Sequence, residues 1–111
     1  MNIDIKETEI FKKAVKREKI NPDDLEILKN ALKENPEKGD LIQNSGGLRK
    51  IRMSIENSSK RDGARVIYLY LSLRGRIYLM TAFKKGKQEN ISDKELKQLK
   101  QFEKLLKIEE N

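Results

Sequence analysis

The chain has 111 residues, of which 25 are Lys or Arg and 18 are Asp or Glu, giving a formal charge of +7 with 36% hydrophobic residues. That length allows one domain, 1–111, with a small and mostly aliphatic core. With no cysteine and no histidine, disulfide frameworks, thiolate or imidazole metal sites and every Ser-His or Cys-His arrangement are excluded.

Residues 2–6 alternate Ile3 and Ile5 with Asp4 and Lys6, the pattern of a short edge strand. From Glu9 to about Lys19, Ile10, Phe11, Ala14 and Val15 fall at helical spacing, while Lys12, Lys13, Lys16 and Arg17 face away. Asn21-Pro22-Asp23-Asp24 reads as a helix start, and Leu25, Leu28, Ala31 and Leu32 make its buried stripe. Asn35-Pro36 ends that helix, and Gly39 and Gly46-Gly47 mark a loop. From Leu48 to Ile55 a strand is expected with Ile51, Met53 and Ile55 on one side and Lys50, Arg52 and Ser54 on the other. A polar turn, 56–62, leads to ARVIYLYLSL, a central strand, and Arg74-Gly75 turns it into RIYLMTAF. Ser92 and Glu95 form a capping box, with Ile91 and Leu96 as hydrophobic staple, ahead of a last helix whose apolar face is Leu96, Leu99, Phe102 and Leu106. The order β-α-α-β-β-β-α predicts an α+β fold: a small antiparallel sheet with helices mainly on one face and the other face free to bind.

The charge is localised. Residues 1–40 and 89–111 are each net −1, whereas 41–88 hold 11 basic side chains against Glu56 and Asp62. A field of one sign attracts polyanions, which makes nucleic acid the leading partner class. Lys50 and Arg52, two apart, share a strand face, and Arg65 begins the neighbouring strand; Lys84 and Lys85 follow the last strand, with Lys60 and Arg61 at the rim. Such a cluster suits a phosphodiester. Cleavage through the 2′-hydroxyl requires a proton acceptor, stabilisation of the phosphorane and a donor to the departing 5′-oxygen. Lys50 or Lys85 would serve as base if neighbouring cations depress its pKa. Arg49, Lys60, Arg61, Lys84 and Lys87 are candidates for backbone contacts, and Tyr68 for stacking on a base, with solvated rim and half-buried packing as the competing readings. The Gly46-Gly47 pair lacks a following Lys-Ser or Lys-Thr and reads as a turn rather than a nucleotide loop. No spaced carboxylate set suits magnesium, so no cofactor and a metal-independent reaction are expected. The N-terminus MNIDIKETEIF lacks the layout of a secretory signal, and no run approaches the roughly 18 apolar residues of a membrane span, so a cytoplasmic protein is expected.

The ordered set NPEKGDLIQNSGGLRKIR, KRDGARVIY, IYLMTAFKK and then Ile91-Ser92, covering about residues 35–96, resembles the toxins of the RelE/ParE superfamily, and within it the HigB-like branch. The resemblance implies a ribosome-dependent endoribonuclease that cuts translated mRNA in the ribosomal A site, in contact with rRNA. It also implies neutralisation by a cognate antitoxin, often of the helix-turn-helix type. The working cations of the family would fall on Lys50, Arg52, Arg65 and Lys85, with Lys50 and Lys85 as proton-transfer groups and Arg52 and Arg65 as clamps on the scissile phosphate. The chain departs from the pattern at Phe83, where relatives often have Tyr, at Gly86-Lys87, where Asn-Glu is usual, and at Ile91, near which the catalytic Tyr of RelE itself would fall. A ParE-like poison of DNA gyrase and a non-catalytic RNA-binding module are the alternative readings.

Overall fold

The computed structural model describes residues 2–53, 63–84 and 91–110. In chain order the elements are β1 (Asp4–Glu7), α1 (Glu9–Glu18), α2 (Pro22–Glu34), β2 (Asp40–Leu41), β3 (Leu48–Met53), β4 (Ala64–Leu71), β5 (Arg76–Lys84) and α3 (Asp93–Glu110). This is the expected α+β order with one addition, the two-residue strand β2.

Local chemistry sets the boundaries. Thr8 caps α1, its hydroxyl accepting the Phe11 N–H at 3.1 Å. Lys19 ends the helix in the left-handed region at φ +53°. Asn21 caps α2 by accepting the Asp23 N–H at 2.8 Å, with Pro22 opening the first turn. At α3 the Glu95 N–H donates to the Ser92 hydroxyl at 3.2 Å, and that hydroxyl donates to the Glu95 carboxylate at 3.0 Å.

The sheet runs β1-β5-β4-β3-β2. The three pairs from β2 to β5 are antiparallel, as expected, but β1 pairs parallel with β5. The sheet is therefore mixed, because β1 leaves into α1 and its neighbour arrives by a long connection rather than a hairpin.

Each face of the sheet carries a core. Phe11, Ala14, Leu25, Leu28 and Leu32 of α1 and α2 pack on Met53, Ala64, Val66, Tyr68, Ile77, Leu79 and Ala82. On the opposite face, Leu99 and Leu106 of α3, with Ile91, pack on Leu48, Ile67, Leu69, Met80 and Phe83. Two of the three helices share a face, but the face expected to be free is covered over much of its length by α3. The reason lies in β4 and β5, whose alternation is apolar on both sides and so requires a cover on each.

A register shift lies between β4 and β5: Ile67 pairs with Thr81 and Tyr68 with Leu79, leaving Met80 as the extra residue on β5. The shift re-aims the end of β5. Phe83 joins the α3 side opposite Arg65, and Lys84, opposite Ala64, is turned to the α1 side.

Candidate active site

One end of the sheet is formed by the last residues of β3, the first of β4 and the last of β5, where Phe83 packs in the α3 core and Arg52 is exposed. Register pairs Arg52 with Arg65 and Arg65 with Phe83. Strict alternation along β3 puts Lys50 and Arg52 on the α3 side with Leu48, and Ile51 and Met53 in the other core, as their spacing predicts. Directly opposed residues in an antiparallel pair have Cβ atoms roughly 4.5–5.5 Å apart, so the two arginines are neighbours.

Their environments differ. Arg52 is exposed, and Arg65 is half-buried. The Arg65 Nη1 atom is buried and has no hydrogen-bond partner among the described residues. Burial first, and the charge of Arg52 second, lower the pKa of the Arg65 guanidinium from its ordinary value. A buried guanidinium nitrogen without an acceptor, held beside a second cation, is a site that an anion would complete. Lys50 is half-buried on the same face, two residues along β3 from Arg52, with Asp40 of β2 directly across from it. No periodicity announced that carboxylate, because β2 is too short to show one.

Other candidates stand elsewhere. Tyr68 is fully buried in the α1/α2 core rather than presented to a base. Its hydroxyl accepts the Gly39 N–H and donates to the Pro36 carbonyl, both at 2.8 Å, because the loop after α2 passes over the ring and needs its polar groups satisfied. Gly39 is required there: a Cβ would fall 2.8 Å from the ring. Arg49 lies on the face opposite Arg52, and its Nη1 donates to the carbonyls of Glu37 at 3.1 Å and Gly39 at 2.7 Å, so it is spent on the same loop. Lys84 faces the α1 side and is half-buried. Lys60, Arg61, Lys85 and Lys87 lie outside the described residues.

The end of β5 is held from α1. The Lys84 N–H donates to Glu18 Oε1 at 2.9 Å, and Arg17 Nη2 donates to the Ala82 carbonyl at 3.4 Å. Since β1 ends at Glu7, opposite Leu79, the outer edge of β5 beyond that point has no strand beside it among the described residues, and α1 supplies partners there. Glu18, buried and paired with Arg17 Nε at 3.3 Å, thus fixes the residue before Lys85. Sequence reading missed it; its place on the apolar stripe of α1, three and four residues after Val15 and Ala14, was the available signal.

Among the described residues no group of three acidic side chains could hold a metal ion, and no helix is long and apolar enough to cross a membrane.

The RelE toxin model, described as the RelE toxin of the RelE/RelB toxin-antitoxin system, matches residues 3–111. The chain belongs to the RelE toxin family. Among solved structures it is similar to an Escherichia coli RelE toxin bearing two Arg-to-Ala substitutions in the free state, at 19% identity over 80% of this chain and 90% of that one, with a TM-score of 0.54. At that identity the likeness establishes the shared fold. Membership of the RelE family makes the protein a toxin of a toxin-antitoxin pair, with an antitoxin as its partner.

Proposed function

We propose that this RelE-family toxin is a ribosome-dependent mRNA interferase, cutting translated mRNA in the ribosomal A site without a metal ion, within a single domain of the HigB-like branch. The observation that carries this reading is the cross-strand pair Arg52 and Arg65, with a buried Arg65 nitrogen lacking an acceptor among the described residues. A scissile phosphate would supply that acceptor. As the 2′-oxygen attacks phosphorus, charge builds on the non-bridging oxygens, and two guanidinium groups fixed in advance by the sheet stabilise it without reorganising.

In this reading Lys50 and Lys85 divide the two proton transfers, one taking the proton of the 2′-hydroxyl and the other giving a proton to the departing 5′-oxygen. Bonds balance as one P–O bond forms and one breaks, leaving a 2′,3′-cyclic phosphate and a 5′-hydroxyl. Lys60, Arg61, Lys84 and Lys87 act in this reading as contacts to the RNA backbone, positioning it without reading sequence. Phe83, buried beside Arg65, forms an apolar wall and not a proton donor. The partners are the ribosome with its mRNA and rRNA, and an antitoxin of the helix-turn-helix type, in the cytoplasm.

The test is expression of the protein beside an Arg65→Ala variant, with mRNA 5′ ends mapped in the presence and absence of a translation inhibitor. Cuts at fixed codon positions that require translation are expected, and Arg65→Ala should reduce them by about 10²–10³-fold, the usual cost of one transition-state hydrogen-bond donor. Growth arrest without new 5′ ends would contradict the reading in favour of a gyrase-type target. No arrest, with RNA binding intact, would favour a non-catalytic module.

A further inference from the structure

Among the residues of β2, β3, β4 and β5, Asp40 is the sole acid, set against Arg49, Lys50, Arg52, Arg65, Arg76 and Lys84. Its neighbours fix the side it faces. Ile42, whose N–H donates to the Leu48 carbonyl at 2.8 Å, packs in the α3 core, so alternation puts Asp40, two residues earlier, on that same face. Register sets it opposite Lys50, which shares the face with Arg52. Asp40 is exposed, and among the described residues its carboxylate makes no hydrogen bond and no ion pair.

The spacing is that of a nucleotide. Opposed residues in a hydrogen-bonded antiparallel pair have Cα atoms roughly 5.5 Å apart, and two residues advance a strand by about 6.6 Å, which puts Asp40 about 9 Å from Arg52. With a phosphate held at the arginine pair, the base of the same or the adjacent nucleotide spans that gap. A free carboxylate repels the phosphate backbone, so it adds nothing to the grip of this face on RNA. What it offers is two acceptors side by side and no donor. Unpaired bases are read on their Watson–Crick edges, and guanine alone presents two adjacent donors there, N1–H and the N2 amino group. Cytosine and adenine each set one amino group beside the lone pair of a ring nitrogen, and uracil sets its one N–H between two carbonyl oxygens. A carboxylate therefore pairs with guanine through two parallel hydrogen bonds and meets a lone pair on each of the other bases.

We infer that Asp40 is a specificity-determining residue that accepts the Watson–Crick edge of an unpaired guanine next to the scissile phosphate. The inference rests on the proposed interferase reading, since it takes the phosphate at the arginine pair to be the one that is cut.

The test is to express the wild type, Asp40→Asn and Asp40→Ala, map mRNA 5′ ends, and tabulate the bases on either side of each cut. Asp40 is exposed, so both variants keep the fold. In the wild type, cuts should be enriched for guanine at one fixed position beside the break. Asn presents one acceptor and one donor, which complement the edges of adenine and cytosine rather than guanine. Asp40→Asn should therefore move the preference away from guanine toward those bases by about 10-fold, the scale of one bidentate base contact. Asp40→Ala should lose the preference without gaining another. A preference that is the same in all three proteins, or a wild type that favours another base, overturns the inference while the cuts themselves uphold the interferase reading. So does a uniform fall in cutting at every base, the result expected if Asp40 only steadies Lys50. An absence of translation-dependent cuts in the wild type would instead overturn the interferase reading, and the inference with it.

Discussion

Two residues with similar sequence signals acquire opposite roles once their burial is known. Arg65 and Tyr68 sit three apart on β4, and each reads from sequence as a group that touches RNA. Alternation sends Arg65 to the α3 side of the sheet and Tyr68 into the α1/α2 core. What Tyr68 does there is structural: its hydroxyl satisfies one donor and one acceptor of the loop at Pro36 and Gly39. Tyr68→Phe leaves both without that partner and should cost about 1–3 kcal/mol in urea unfolding, with little change in cleavage by the folded protein. Burial also raises the Tyr68 pKa above its ordinary value of 10.0. A phenol bound more tightly to its proton in the folded state contributes stability that is complete below that value and is lost as pH rises through the folded pKa. Wild-type stability should therefore fall at strongly alkaline pH, and Tyr68→Phe should fall less steeply there.

At the scale of elements, α3 is the part that sequence reading placed least well. Its start, its capping box and its apolar stripe were legible in Ser92, Glu95, Leu99 and Leu106, because those are local signals. Which face of the sheet it would cover was not, since Ile67, Leu69 and Met80 read as apolar whichever helix meets them. The strands that carry the arginine pair were similarly legible as far as alternation carries: Lys50 and Arg52 share a side as predicted, and the displaced register at Met80, which no residue pattern announces, turned Lys84 away from them. Beyond its apolar contacts, α3 is fastened to the loop before β3. Lys107 Nζ donates to the Gly46 carbonyl at 2.6 Å and pairs with the buried Glu103, whose carboxylate lies against Gly46. Gly46 holds φ at +79°, and a Cβ there would collide with that carboxylate. Gly46→Ala should thus destabilise the protein by about 1–2 kcal/mol from backbone strain alone. Hydrogen exchange should show the loss concentrated in α3 and the start of β3; a uniform loss across the sheet would contradict the fastening.

Over the whole molecule, the fold explains how a chain without histidine or cysteine can gather the cations that the proposed phosphate site needs. The sheet sets Arg52 and Arg65 opposite one another, and α1 holds the outer edge of β5 at Lys84. The uneven charge of the sequence already indicated a polyanion as partner. The most direct test of the central claim is the chemistry of the ends that the purified toxin leaves on an mRNA programmed on ribosomes. Attack by the 2′-hydroxyl predicts a 5′-hydroxyl on the downstream fragment and a 2′,3′-cyclic phosphate upstream, with cleavage reduced by about 10²–10³-fold in Arg65→Ala. A 5′-phosphate on the downstream fragment, or cleavage undiminished in Arg65→Ala, would contradict a reaction carried by the cations of this sheet.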